Sequence, residues 1–160
     1  MLAALQESLK PILSVLKDID PSDPNAADFL NQRLPLEGPE LLRVRSLVDA
    51  GLENGWLCPR EGAGLRYGRA SRASEATHHF SIETVDMAGS GPGHLHPDGE
   101  FDLCFPIAGS PLFDGHPPGW TVYPPGSWHV PTVTGGRMGI LYFLPNGAIR
   151  FGARPAQENQ

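Results

Sequence analysis

Beyond residue 60 the sequence breaks into short β-forming runs set between glycine- and proline-rich segments. "LRYGRAS", "HHFSIETVDM", "EFDLCFPI", "WTVYP", "VPTVTG" and "RMGILYFL" are rich in branched and aromatic residues. The chain holds 19 glycines and 17 prolines among 160 residues, more than one in five, too many for a helical core. Such a stretch can bury its apolar side chains only by pairing strands, as a sandwich, a jelly roll or a small barrel. Asn146-Gly147 in "LPNGAIRF" reads as a two-residue hairpin turn.

Before residue 60 the period is different. Leu2, Leu5, Leu9, Leu13 and Leu16 recur at helical spacing, with Pro11 expected to kink or split the helix. "DIDPSDPNAADF" offers Asp23 or Asn25 as the N-cap of a second helix. "GPELLRVRSLVDAGLENG" reads as a third, with Pro39 in its first turn and Gly55 just past its end. The expected organisation is a helical segment over 1–58, a β domain over 59–154 and a frayed tail over 155–160. The helical segment is expected to pack on the barrel or on a dimer partner.

Charge and composition exclude several classes. The formal net charge is −6 and the basic residues are scattered, which disfavours nucleic acid as a partner. No stretch approaches the apolar length of a membrane span, and "MLAALQESLKPIL" lacks the basic start of a signal peptide. Cys58 and Cys104 form no CxxC, so a reduced, cytoplasmic setting is expected. "GSGPG" does not open a helix, so no nicotinamide or flavin site is expected.

The chemistry-bearing residues cluster in two motifs. In "GPGHLHPDGEFDLCF", His94 and His96 are two apart and project from one face of a strand. Glu100 follows a Pro-Asp-Gly bend that can return its carboxylate to the same point. In "YPPGSWHVP", His129 follows a tight turn at Pro125-Gly126. Three imidazoles and a carboxylate suit zinc, iron, manganese, nickel or copper better than calcium or magnesium.

"HLHPDGE" with "PPGSWH" resembles the paired signature motifs of the cupin superfamily, small jelly-roll β-barrels with a metal at the inner end. The resemblance implies His94, His96, Glu100 and His129 as ligands of one divalent ion, with zinc, iron and manganese the leading candidates. The usual glycine six residues before the first histidine is Ala88 here, and Val133 stands where an asparagine often ends the second motif. "GPGHLHPDGEFDLCFPIAG" and "FDGHPPGWTVYPPGSWHVPTVTGGRMGILYFLPNGAIRF", with the helical leader, resemble the cupin-like 4-hydroxylaminobenzoate lyases. That family converts 4-hydroxylaminobenzoate and water to 3,4-dihydroxybenzoate (protocatechuate) and ammonia in nitroaromatic degradation. The expected partner is therefore a small aromatic acid, and cupin relatives commonly form homodimers. An iron dioxygenase acting on an aromatic acid, or a non-catalytic binding cupin, are the alternatives.

Other residues carry weaker signals. Strand alternation places Asp102 and Cys104 on the face of Glu100, making Asp102 a candidate proton carrier. His78, grouped by alternation with Phe80 and Ile82, is expected to face the barrel interior as a second proton carrier. Arg66, Arg69 and Arg137 are candidates for the substrate carboxylate. Tyr67, Trp120, Trp128, Tyr142 and Phe143 are candidate walls of an aromatic pocket, and His116 reads as a turn residue.

Overall fold

The computed structural model describes residues 1–156; of the expected frayed tail, residues 157–160 lie outside the described residues. Three helices open the chain: α1 Leu2–Leu16, α2 Ala26–Arg33 and α3 Pro39–Glu53. Pro11 does not split α1, which runs through it. Pro11 is exposed, so the backbone carbonyl that loses its partner there faces water, while Leu5, Leu9, Ile12, Leu13 and Leu16 stay buried. Asn25 stands at the N-cap of α2, and the Asp23 carboxylate accepts from its backbone N–H at 2.8 Å. Pro39 starts α3, and Gly55 follows it at φ 78°.

Nine strands follow among the described residues: β1 Arg60–Gly62, β2 Leu65–Ser71, β3 Phe80–Met87, β4 His94–His96, β5 Glu100–Phe113, β6 Gly119–Tyr123, β7 Ser127–His129, β8 Val133–Pro145 and β9 Arg150–Phe151. They form a six-stranded sheet, β1-β2-β3-β8-β5-β6, and a three-stranded sheet, β7-β4-β9. All pairings are antiparallel, which gives a jelly-roll-like, mainly β fold with N-terminal helices. The two sheets do not close into a continuous barrel. "VPTVTG" and "RMGILYFL" are parts of one strand, since Gly135 and Gly136 sit in an irregular stretch of the β5–β8 pairing rather than ending it. Asn146-Gly147 makes a turn with both residues at positive φ, but not the expected hairpin: β9 pairs with β4 in the smaller sheet.

The six-stranded sheet divides two cores by strand alternation. On one face, Phe101, Leu103 and Phe105 of β5 with Leu141 and Phe143 of β8 pack against α1 and α3. Gly139 marks a close approach: a Cβ there would meet Leu52 of α3 at 2.9 Å. On the same side α2 docks through Asn31, which brackets Trp120 by accepting from its N–H at 2.8 Å and donating to its carbonyl at 3.2 Å. The opposite face carries Met87, Cys104, Met138, Ile140 and Tyr142, with Glu100 and Asp102 in the same alternation. That inner face holds the candidate site.

Candidate metal centre

Each of the four motif residues is aimed by its strand. In β4 and β7, His94 is paired directly with His129, and His96 with Ser127. Opposed residues share a face, so all three imidazoles project together. The turn before β7 has Gly126 at φ 80° after Pro125, which allows the Ser127 N–H to reach the Pro124 carbonyl at 3.2 Å. Glu100, the first residue of β5, comes from the larger sheet and meets them across the fold. His94, His96 and Glu100 are fully or almost fully buried.

The ring tautomers follow from hydrogen-bond partners. His94 Nδ1 lies 3.1 Å from the Pro92 carbonyl, which only accepts, so Nδ1 donates. Ser127 Oγ donates to the Pro124 carbonyl at 2.6 Å and therefore accepts from His96 Nδ1 at 2.9 Å. His129 Nδ1 donates to Asp114 Oδ2 at 2.6 Å. Each ring is thereby turned so that Nε2 points to a common centre.

Four ligand atoms meet there, all within 4.8 Å of one another. Nε2 of His94 and His129 are 3.2 Å apart. The Glu100 oxygens lie 2.9 Å from His96 Nε2, 3.5 Å from His94 Nε2 and 3.6 Å from His129 Nε2. Ligands held at about 2.0–2.2 Å around one zinc-like ion stand roughly 3.0–3.6 Å apart, so the spacing fits. His96 Nε2 and both Glu100 oxygens are buried with no hydrogen-bond partner among the described residues. Facing lone pairs at such distances repel unless a proton or a cation lies between them. The donor set thus fits one divalent transition ion and leaves zinc, iron and manganese open.

The electrostatics agree. Burial works to raise Glu100, but the three surrounding imidazoles hold its carboxyl well below the usual range. Burial works to lower His129, but Asp114 and Glu100 outweigh it and lift the imidazole to about 9. Burial and the neighbouring Glu100 carboxylate both push Asp102 well above the ordinary value. Neither Asp102 oxygen has a hydrogen-bond partner among the described residues.

Asp114 is a residue the motif reading missed. It sits at φ 49°, with Gly115 at φ 81°, in a two-residue hairpin closed by reciprocal Phe113 and His116 backbone bonds of 2.8 Å. The signal was present as an Asp-Gly dipeptide between strands. Besides His129, its carboxylate accepts from the Tyr123 hydroxyl and, at 2.8 Å, from the Thr132 N–H. Burial raises Asp114, but these donors bring it below its ordinary value. Tyr123 also stacks on His96, with ring centroids 5.2 Å apart. Asp114→Asn removes the charge behind His129, and metal affinity should fall by about 10–100-fold in a competition titration with a chelating indicator. Unchanged affinity would limit Asp114 to holding the turn.

The remaining expected residues separate. Asp102 and Tyr142 pair across β5 and β8 on the inner face, and the Tyr142 ring lies 6.4 Å from that of His94. Cys104 is buried on the same face. His78 does not face the interior: it is exposed at φ 51°, capping the short 3-10 turn Glu75–Thr77 before β3 begins. The alternation that grouped it with Phe80 and Ile82 starts only at Phe80. Those two residues face the helices in any case. Trp120 and Phe143 also belong to the helix-facing core, 5.7 Å apart, not to a pocket wall. Trp128 donates to the Gly152 carbonyl, Tyr67 is part-exposed and His116 is exposed beside its turn. Arg137 pairs with Asp86 through two contacts of 2.6 Å, and Arg66 donates to the Cys58 carbonyl. Both line an open cavity of about 430 Å³ that none of the four motif residues borders. Arg69 pairs with Glu83 at 2.9 Å.

A buried cluster of three histidines and one glutamate that could hold a metal ion thus lies between antiparallel sheets of a jelly-roll-like fold. Comparison with known proteins narrows this. The model of the PnbB 4-hydroxylaminobenzoate lyase family matches residues 7–151. A 4-hydroxylaminobenzoate lyase of Nocardioides sp. (strain LMS-CY) is 36% identical over 128 residues, 72% of this chain and 75% of that one. One from Pseudomonas putida is 30% identical over 146 residues, covering 79% and 82%. The chain belongs to the 4-hydroxylaminobenzoate lyase family, and it is a lyase-like enzyme. Among solved structures, a cupin-like protein of unknown function from Ralstonia eutropha JMP134 matches with TM-score 0.33 and 13% identity, covering 51% of this chain and 55% of that one. Ectoine synthase from P. lautus matches with TM-score 0.30 and 12% identity, covering 63% and 85%. Neither bears on the chemistry.

Proposed function

We propose that the protein converts 4-hydroxylaminobenzoate and water to 3,4-dihydroxybenzoate and ammonia, using one divalent transition ion held by His94, His96, Glu100 and His129. The observation that carries this is the converging Nε2 atoms and Glu100 oxygens within a chain of this family. When bound, the ion supplies a Lewis acid that favours departure of the hydroxylamine oxygen.

The reaction balances without an external oxidant. The N–O bond breaks, its electron pair goes to oxygen, and that oxygen leaves as water once protonated. A water oxygen then bonds to the adjacent ring carbon, and the nitrogen-bearing carbon becomes an imine. A second water hydrolyses the imine to release ammonia, and the remaining ketone tautomerises to the catechol. One water is consumed overall.

The chain's own residues supply protons and shelter. In this reading Asp102, buried on the face of Glu100 and raised in pKa by burial and by that carboxylate, donates the proton to the departing oxygen. Tyr142 offers an apolar ring wall on the same face. Burial of this face keeps bulk water from the reactive intermediate. Dialysis against a chelator is expected to abolish product formation, and one equivalent of the right ion to restore it. Full activity with no bound metal would contradict the reading.

A further inference from the structure

We propose that Arg69, and neither Arg66 nor Arg137, binds the substrate's carboxylate at the open edge of the inner face; this rests on the proposed aromatic-acid substrate. Strand register separates the three arginines. Arg69 is opposed by Glu83, Glu83 by Tyr142, Tyr142 by Asp102, and Asp102 by Thr121. Residues opposed across antiparallel strands share a face, so these five form one row across β2, β3, β8, β5 and β6. Glu100 lies two residues from Asp102 on β5 and so belongs to the same face.

Arg66 lies on the other side. Its row runs through Asp86 and Gly139 to Phe105, which is buried against the helices. Arg137 reaches the same Asp86 and borders a second cavity with Arg45 and Asp49 of α3. A ligand in contact with the metal cluster cannot also touch either guanidinium through the sheet.

From Asp102 toward β2, exposure along the inner row rises. Asp102 is 0% and Tyr142 6% exposed, whereas the side chains of Glu83 and Arg69 are 22% and 50% exposed. The row therefore opens to solvent at β2. From β5 to β2 is three strand spacings, about 14 Å. One para-substituted benzene ring and an extended arginine side chain fill such a span. The hydroxylamino end would lie by the buried cluster, the ring over Tyr142 and the carboxylate at Arg69. Glu83 engages only Nε of Arg69, at 2.9 and 3.1 Å. Among the described residues both terminal nitrogens lack a hydrogen-bond partner, which leaves one edge of the guanidinium for a carboxylate. Glu83 fixes the guanidinium and also competes with any incoming anion.

The test is calorimetric titration of metal-loaded protein with 4-aminobenzoate, which keeps the carboxylate and has no N–O bond to break. Arg69→Gln should weaken binding by about tenfold or more, as loss of a charged hydrogen bond does. Arg69→Lys should fall between that variant and wild type, because it keeps the charge without the fork. Arg66→Gln and Arg137→Gln should bind as wild type does, and Glu83→Gln should bind more tightly. Aniline, which lacks the carboxylate, should not distinguish wild type from Arg69→Gln. If wild type binds 4-aminobenzoate and both Arg69 variants bind it equally well, the assignment is overturned while the proposed function stands. If wild type does not bind 4-aminobenzoate, the proposed function falls and the assignment with it.

Discussion

His96→Ala is expected to leave the protein folded and almost free of metal. The imidazole it removes is fully buried, and its Nε2 has no hydrogen-bond partner among the described residues. Two imidazoles and a carboxylate would remain, with the Glu100 oxygen that lay 2.9 Å from His96 left without that neighbour. Loss of an outer partner of a ligand costs about 10–100-fold in affinity, so loss of the ligand itself should exceed that range. Activity should fall in parallel. Folding should survive because the larger core, between the helices and the outer face of the sheet, does not include His96. Metal analysis of the purified variant, alongside circular dichroism and a thermal melt, checks both halves. A folded variant with full metal content would remove His96 from the ligand set.

The second large effect is expected in pH. In the metal-free protein His129 keeps its proton up to about 9, against an ordinary value of 6.5, and the incoming ion must displace it. Apparent metal affinity should therefore drop about tenfold for each unit below pH 9, or roughly 1000-fold by pH 6. Stability of the metal-free protein should run the opposite way. The folded-state pKa of His129 is raised, so its contribution is fully present below 6.5 and is lost as pH rises through about 9. Asp102, also raised, adds loss in the same direction. The melting temperature of the metal-free protein should thus fall between pH 6.5 and 9 while metal uptake strengthens. Uptake that is flat across this range would contradict the assigned charge state.

Much of this was legible because the decisive side chains sit on strands with a period of two. The HxH spacing alone places His94 and His96 on one face, and the Pro-Gly turn announces the entry to His129. Alternation also placed Asp102 and Cys104 with Glu100. It failed at His78, where a 3-10 turn capped by Ser74 and Thr77 delays the strand to Phe80. Pro11 misled because a proline on a solvent-facing stripe costs a helix less than one facing the core. Asp114 was hidden for another reason: its role depends on the register of β4 with β7 and of β5 with β8, which brings together residues 15 apart. The three arginines could not be ranked from sequence. Which face each takes depends on how β2 is registered against β3, and on the irregular β5–β8 pairing that precedes Arg137.

The central claim is that the N–O bond of the substrate is the only oxidant. It is tested most directly by sealed, oxygen-free incubation of metal-loaded protein with 4-hydroxylaminobenzoate, following ammonia and 3,4-dihydroxybenzoate together. Both products are expected at equal rates, unchanged by admitting air, with no nicotinamide or flavin added. Turnover that stops without oxygen, and a ring that opens when oxygen returns, would contradict it and identify a dioxygenase instead.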